Sequence, residues 1–269
     1  MMLGTVMLAA ILGGGIQEKP ALESEIAAGT PPTVVATPSA ENRSAAAGWH
    51  DGRDWMDQHS DCVKLARAPR HDLIFLGDSI TQSFGGEGRR TGQPGRDVLR
   101  ELFPGLRIAN MGISGDRTQH LLWRLGNGAL DGPAPGAYVI AIGTNNIGHD
   151  RPQDIEKGIE CIIGLIREKR PGTPILLCPI LPRGHLANDP ARTAAQLVNE
   201  GIQGLAREPD TYWVPCWEPL LDAEGGLHKG CHRSDGIHLT EHGYQLWGRV
   251  ISDSRSGIPA HSPESGSLE

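Results

Sequence analysis

The stretch Leu73-Ile74-Phe75-Leu76-Gly77-Asp78-Ser79-Ile80 decides the fold that we expect for this chain. Four consecutive apolar residues followed by a glycine and two small polar residues are typical of a buried β-strand that leads into a helix. Such a strand ends at the rim of a sheet, where open α/β folds bind their ligands. The hydroxyl of Ser79 would stand at this rim, so we take Ser79 as a candidate nucleophile.

Strands and helices alternate along the rest of the chain. Apolar runs predict further strands at 106–110, 137–142, 175–178 and 211–214, and apolar residues at helical spacing predict helices between them. Alternation at this spacing implies right-handed βαβ crossovers and a parallel sheet covered on both faces. We therefore expect a single α/β domain with a five-stranded parallel sheet.

A serine hydroxyl is a weak nucleophile until a base accepts its proton, and that base needs a third group to orient it. The segment Asp235-Gly236-Ile237-His238 offers both groups near the end of the chain. Its three-residue spacing puts the two side chains on the same side of one helical turn or tight loop. We therefore predict His238 as the base and Asp235 as its partner.

Acyl transfer at an ester also needs fixed donors aimed at the developing oxyanion. The backbone N–H of Ser79 at a helix start, the N–H of Gly115 and the side-chain amide of Asn145 are the candidates. Each block alone can be an ordinary turn or helix cap, with Asp116 as the capping residue in the second block. Their order, each at the boundary of an element, favours the catalytic interpretation.

These blocks resemble the four conserved blocks of the SGNH (GDSL-type) hydrolases. They are Gly-Asp-Ser-Ile around Ser79, Gly-Ile-Ser-Gly-Asp around Gly115, Gly-Thr-Asn-Asn around Asn145 and Asp-Gly-Ile-His ending at His238. The resemblance spans about residues 49–251. Within this family the chain is most similar to the platelet-activating factor acetylhydrolase catalytic subunits and their bacterial esterase relatives.

The resemblance implies a flavodoxin-like three-layer α/β/α sandwich. It also implies a catalytic triad of Ser79, His238 and Asp235, with an oxyanion hole formed by Ser79, Gly115 and Asn145. A homodimer is carried over from the acetylhydrolase branch. Further candidates for substrate contacts are Asp78, Asn146 and Arg183, with bracing of the serine loop as the alternative for the first of them.

The two ends of the chain differ from its middle in composition. Residues 1–16 include an apolar stretch with the length of a signal-peptide core, too short to span a bilayer, although no Lys or Arg precedes it. We predict export to the periplasm or the medium, with a cytoplasmic protein as the alternative. Residues 17–48, rich in Ala, Pro and Thr, are predicted to be a disordered linker, 49–254 the hydrolase domain and 255–269 a disordered tail.

Charge and cysteine spacing limit the partners and cofactors. The net charge of -7 without a basic stripe argues against nucleic acid, and no segment predicts stable membrane insertion. The five cysteines contain no CxxC pair, and glycines around the pair His228 and His232 oppose a helix, so we predict no metal and no cofactor. Cys216 and Cys231 are either a disulfide or two thiols.

Together these observations predict a serine esterase that removes a short acyl group, most simply acetyl, from a carbohydrate through an acyl-enzyme. A phospholipid acetylhydrolase, a lysophospholipase and a thioesterase are the enzymatic alternatives, and a catalytically silent ligand-binding module is the non-enzymatic one. The glycine-rich loop at 85–92 follows the serine closely in sequence. We predict that it is a lid or specificity loop beside Ser79.

Overall fold

The computed structural model describes residues 29–40, 53–87 and 93–258. The compact unit that contains all the helices and strands below begins at Pro31, and the preceding unit, Met1–Thr30, lies almost wholly outside the described residues. The predicted signal peptide and the last residues of the predicted tail, 259–269, also lie outside the described residues. None of the helices in the described ranges combines the length and apolarity that crossing a membrane requires.

Seven α-helices and five β-strands in the described residues follow the alternation that the sequence predicts. In chain order they are α1 (Trp55–Ala66), β1 (Leu73–Gly77), α2 (Ser79–Ser83), α3 (Arg96–Leu102), β2 (Ile108–Gly112), α4 (Thr118–Arg124), β3 (Ala137–Ala141), α5 (Pro152–Lys169), β4 (Ile175–Leu177), α6 (Pro190–Gln203), β5 (Thr211–Trp213) and α7 (Glu241–Ser256). The strands pair in parallel in the order β2-β1-β3-β4-β5. The predicted flavodoxin-like fold is thereby confirmed.

Strand β1 is buried over its whole length because helices cover both faces of the sheet. Successive strand residues point to opposite faces, so Ile74 and Leu76 pack in one core with α1, α4, α5 and α6. Leu73 and Phe75 pack in the other core with α2, α3 and α7. This two-sided burial explains why β1 is a continuous apolar run and lacks polar alternation.

Part of the predicted linker is ordered. Residues 29–40 contain a short 3-10 helix, Pro32–Val34, in which Thr33 is buried. The Thr33 hydroxyl donates a hydrogen bond to the carbonyl of Asp154 at 2.6 Å, and the Thr118 hydroxyl donates one to the carbonyl of Thr33 at 3.2 Å. The linker prediction is wrong for this segment, because paired polar groups hold it against α4 and α5.

The glycine-rich loop does not begin as a lid over Ser79. The N–H of Glu87 donates to the carbonyl of Ile108 at 3.2 Å, which aligns the loop with the edge strand β2. The Glu87 carboxylate lies 3.4 Å from His71, which precedes β1 and therefore marks the opposite end of the sheet. The described part of this loop thus runs away from the serine, and residues 88–92 lie outside the described residues.

Helix α7 continues past the end that the sequence predicts for the domain. Thr240 is its N-cap, with its hydroxyl accepting a hydrogen bond from the N–H of Gly243 at 3.2 Å. The helix continues to Ser256, so the boundary of the predicted tail at residue 255 falls inside helix α7. Its buried residues Tyr244, Trp247 and Ile251 fix it against the core.

Candidate active site

Ser79 is the first residue of α2, directly after the strand β1 and the cap residue Asp78. The Asp78 carboxylate accepts a hydrogen bond from the N–H of Ile80 at 3.0 Å, which satisfies one of the helix's first N–H groups. From the other side, the hydroxyl of Tyr244 in α7 donates to the carbonyl of Ile80 at 2.7 Å. The sheet rim and α7 together therefore fix the position of the serine hydroxyl.

Three side chains meet at this rim. Ser79 Oγ lies 2.9 Å from His238 Nε2, and His238 Nδ1 lies 2.7 Å from Asp235 Oδ2. These distances form an unbroken chain of hydrogen bonds from hydroxyl to imidazole to carboxylate. The arrangement joins residues that stand 159 positions apart in the sequence.

A tight loop holds Asp235 and His238 in place. The second carboxylate oxygen of Asp235 accepts hydrogen bonds from the N–H groups of Ile237 and His238, each at 2.9 Å. Burial alone would raise the pKa of Asp235, but the hydrogen bonds from the His238 side chain and from these two N–H groups outweigh it and lower the pKa to about 2. The carboxylate is therefore ionised at neutral pH.

Two of the three predicted oxyanion donors, Gly115 and Asn145, lie on the loops after β2 and β3. Gly115 has a φ of +77° and lies one residue before Asp116, the residue whose carbonyl accepts a hydrogen bond from the Asn145 side-chain amide at 2.9 Å. The Asn145 bond ties the two loops together. Because Gly77 and Gly112 are register partners at the ends of β1 and β2, the Gly115 loop starts beside the serine loop.

A buried ion pair supports these loops. The Asp116 carboxylate lies 2.7 Å from the guanidinium of Arg124 and also accepts a hydrogen bond from the indole of Trp55 at 2.6 Å. Arg124 in turn donates to the carbonyls of Met111 at 2.8 Å and Gly77 at 3.3 Å. Because it bonds to the last residue of β1 and the last but one of β2, Arg124 positions both loops relative to the sheet.

A second polar centre, Asn110, links β2 to the serine helix. Its side-chain amide donates to the carbonyl of Thr81 at 2.6 Å, and its side-chain oxygen accepts from the N–H of Gly112 at 2.9 Å. The two segments approach so closely that a Cβ on Gly112 would lie 2.4 Å from the N atom of Gln82 and 2.7 Å from the Asp78 carbonyl. Only glycine fits here.

Two of the predicted substrate contacts instead bond to the protein itself. Asn146 is fully buried, with its side-chain oxygen accepting from the N–H of Thr118 at 3.0 Å and its amide donating to Asp150 at 2.9 Å. Arg183 donates to the carbonyl of Thr144 and to its hydroxyl. The prediction is wrong for Asn146, because its hydrogen bonds face α4 and its own loop. Arg183 braces the loop that contains Thr144.

Asp78, the third predicted contact, is also buried. Burial raises the pKa of its carboxyl to about 7, and the nearby Asp116 adds to this shift, whereas the N–H of Ile80 and the charge of Arg183 oppose it. The side chain caps α2, so the structure supports the bracing alternative.

The sequence interpretation did not identify Asp116, Arg124 and Asn110 as supporting residues, since only their polar character at element boundaries could have indicated them.

The Asp78 environment predicts a pH-dependent change in stability. A carboxyl whose folded pKa exceeds its unfolded value of 3.8 favours folding when protonated, so the wild type loses this stability as the pH rises through about 7. Asp78→Asn keeps an N-capping residue but cannot ionise. We expect its unfolding free energy relative to wild type to rise by roughly 2–4 kcal/mol between pH 4.5 and 8, measured by urea denaturation.

The matched control is Asp54→Asn, which makes the same change at the exposed N-cap of α1. Because that carboxylate is in contact with water, its substitution should alter stability by less than about 0.5 kcal/mol at either pH. A constant effect of Asp78→Asn across the pH range would show that Asp78 ionises normally in the folded protein.

The comparison with known families agrees with this geometry. Residues 75–246 match the model of the GDSL-like Lipase/Acylhydrolase family. The chain belongs to this family. As a GDSL-like acylhydrolase it is an ester hydrolase, and the alternative of a catalytically silent binding module is not retained. The matched region begins in β1 and ends in α7, so it includes all three residues of the hydrogen-bonded chain.

Relatives of known name are similar over most of their length. The human platelet-activating factor acetylhydrolase IB subunit alpha1 is 34% identical over 196 residues, which cover 72% of this chain and 79% of that protein. The bovine alpha2 subunit is 35% identical over 198 residues, covering 71% and 78%. The resemblance to this branch of the family that the sequence indicates is thereby confirmed.

Two solved structures also superpose on this chain. A Streptococcus pneumonia protein named after platelet-activating factor superposes with a TM-score of 0.63 at 28% identity, covering 74% of this chain and 92% of that one. A GDSL-like lipase from Bacteroides thetaiotaomicron superposes with a TM-score of 0.59, covering 75% and 96%. At 20% identity, the second likeness shows the fold alone.

Proposed function

We propose that this acylhydrolase is a serine esterase that removes acetyl groups, with Ser79 as nucleophile, His238 as general base and acid, and Asp235 as the residue that orients the imidazole. The observation that carries the proposal is the continuous set of distances, 2.9 Å from Ser79 Oγ to His238 Nε2 and 2.7 Å from His238 Nδ1 to Asp235 Oδ2. Nucleophile, base and orienting group in hydrogen-bond contact are the signature of an activated hydroxyl.

The reaction follows from these positions. As Ser79 Oγ attacks the ester carbonyl carbon, His238 Nε2 accepts the hydroxyl proton, and the ionised Asp235 stabilises the imidazolium that forms. When the tetrahedral intermediate collapses, the ester C–O bond breaks and the departing alcohol takes the proton from His238. Water then attacks the acetyl-serine with the same base, releasing acetate and restoring the hydroxyl of Ser79.

The oxyanion donors in this proposal are the N–H groups of Ser79 and Gly115 and the side-chain amide of Asn145. An amide nitrogen carries two hydrogens, so the bond from Asn145 to the Asp116 carbonyl leaves the second hydrogen for the oxyanion. That bond also sets the direction of the amide plane. The Asp116–Arg124 pair then positions the oxyanion hole without contacting substrate.

The names of the relatives support acetyl as the acyl group, because those proteins are called acetylhydrolases of platelet-activating factor. The same names favour an acetylated phospholipid as the substrate. The carbohydrate ester expected from the sequence depends on the predicted export signal in residues 1–16 and on the resemblance to bacterial esterases. We therefore propose the acetylated phospholipid first and an O-acetylated carbohydrate as the second candidate.

Two substrate series test these assignments. In p-nitrophenyl esters from acetate to decanoate, we expect kcat/KM to fall by at least about a hundredfold between two and eight carbons, since specificity for acetyl requires that added methylenes be rejected. The rate for each ester is divided by the rate of its spontaneous hydrolysis, which removes differences in ester reactivity. A preference for eight carbons or more would contradict the acetyl assignment.

The second series compares a 2-acetyl glycerophospholipid with an acetylated xylo-oligosaccharide at equal concentration of ester. A larger kcat/KM for the lipid supports the first candidate. A larger value for the oligosaccharide overturns it in favour of the second, while leaving the acetylesterase assignment intact.

A further inference from the structure

Three metal-ligating side chains converge outside the hydrogen-bonded triad. His228, Cys231 and His242 each contribute one ligand atom, and the three atoms lie within 4.8 Å of one another. The Cys231 sulfur is 3.2 Å from Nδ1 of His228, and the rings of His228 and His242 have centroids 5.8 Å apart. The sequence paired His228 with His232, whereas the structure brings in His242 from the start of α7.

Backbone contacts hold this cluster together. The N–H of Cys231 donates to the carbonyl of His228 at 3.1 Å, and the N–H of Thr240 donates to the carbonyl of Cys231 at 2.9 Å. Helix α7 packs so closely here that a Cβ on Gly243 would lie 2.2 Å from the Cys231 carbonyl. The relative positions of the thiol and the two imidazoles are thus set by the main chain.

We propose that His228, Cys231 and His242 bind a divalent cation of the zinc class. One thiolate and two imidazoles form a ligand set that Zn²⁺ favours, and tetrahedral bonds of about 2.0–2.3 Å place ligand atoms roughly 3.3–3.8 Å apart. The Cys231–His228 distance of 3.2 Å is just below this spacing, so a small side-chain adjustment would bring the two atoms into it. A rotation of the exposed His242 side chain, within about an ångström of movement at its ring nitrogen, would complete the site.

The burial of the three side chains suits such a site. Cys231 is fully buried, whereas His228 is partly exposed and His242 is exposed, so a cation can enter from the His242 side. Binding replaces the thiol proton of Cys231 with a sulfur–metal bond, and that proton passes to solvent. Three protein ligands leave a fourth position for water.

The place of the cluster in the chain gives it a role. Residues 232–240, between Cys231 and the first turn of α7, form the loop that carries Asp235 and His238, and His232 and Leu239 pair across its base. A cation bound by Cys231 and His242 would join the two ends of this loop. We therefore expect bound metal to stabilise the loop, and its removal to loosen the loop without removing any triad residue.

Metal titration of the full-length protein tests the site. After treatment with a chelator, the protein is titrated with Zn²⁺ against a chromophoric chelator and, separately, with Co²⁺. We expect one equivalent to bind, a thiolate-to-cobalt charge-transfer band to appear, and the unfolding temperature to rise with free Zn²⁺. Absence of stoichiometric binding of either ion would overturn the proposal.

Variants show whether these side chains are the ligands. Cys231→Ser and His242→Ala should each weaken Zn²⁺ binding by more than the roughly 10–100-fold that loss of an outer-shell partner costs, and Cys231→Ser should abolish the charge-transfer band. Cys161→Ser and His149→Ala alter an exposed thiol and an exposed imidazole elsewhere and should bind like wild type.

The exposed His242 can be replaced without disturbing the core, so His242→Ala keeps the test decisive if Cys231→Ser fails to fold. His238→Ala should retain binding, because the triad imidazole is not a ligand in this proposal. Unchanged affinity in His242→Ala, or loss of binding in Cys161→Ser or His238→Ala, would place the cation elsewhere and overturn the assignment.

Discussion

Replacing Ser79 with alanine lowers kcat for p-nitrophenyl acetate by about a millionfold, the loss seen when a serine hydrolase loses its nucleophile. The expected size follows from the proposed mechanism, in which the hydroxyl 2.9 Å from His238 Nε2 is the atom that forms the acyl-enzyme. The oxyanion donors and the binding site remain, so a small residual rate above the uncatalysed reaction is expected.

The matched control is Ser60→Ala, which removes an exposed hydroxyl from α1. This hydroxyl donates a hydrogen bond to the carbonyl of Met56, one turn earlier in the same helix. The activity of Ser60→Ala should equal that of wild type. Both variants are prepared in parallel, so that contaminating esterases contribute the same background rate to each. After incubation with substrate, mass spectrometry should detect an acetyl adduct in Ser60→Ala and none at residue 79 in Ser79→Ala. A Ser79→Ala rate within tenfold of wild type would overturn the proposed mechanism.

Replacing Arg124 with methionine destabilises the fold by about 3–5 kcal/mol, because it leaves the carboxylate of Asp116 buried without its cation. Both side chains are fully buried and their charged atoms are 2.7 Å apart. For a domain of this size the unfolding temperature should fall by roughly 10 °C, measured by circular dichroism at fixed pH. Activity should fall as well, since the Asp116 carbonyl orients Asn145.

The matched control is Arg67→Met, which breaks the ion pair with Asp131 on the surface. Its guanidinium lies 2.8 Å from the carboxylate, close to the distance in the buried pair, but the two side chains are 62% and 47% exposed. Screening by water limits the expected loss to less than about 1 kcal/mol. The double variant Arg124→Met with Asp116→Leu should recover part of the stability, because no unpaired charge stays buried. Equal losses in Arg124→Met and Arg67→Met would contradict the effect that we assign to burial.

The sequence alone determined the order and type of the elements. Strand β1 is a run of apolar residues that ends at glycine, and α5 repeats its apolar residues at helical spacing, so both are encoded by patterns within a single segment. The blocks around Ser79, Gly115, Asn145 and His238 lie at the boundaries of such elements and resemble family motifs, so they too can be identified from the sequence.

Tertiary structure decided what those residues contact. Asn145 and Asn146 are neighbours in one 3-10 turn, yet one amide reaches the Asp116 carbonyl while the other is buried against α4, and local sequence does not distinguish them. The pKa of Asp78 likewise depends on which distant segments exclude water from its side chain. The grouping of Cys231 with His242 depends on how α7 packs against the segment that carries Cys231. Periodicity specifies an element because it acts over a few residues, whereas burial and pairing arise only when remote segments pack together.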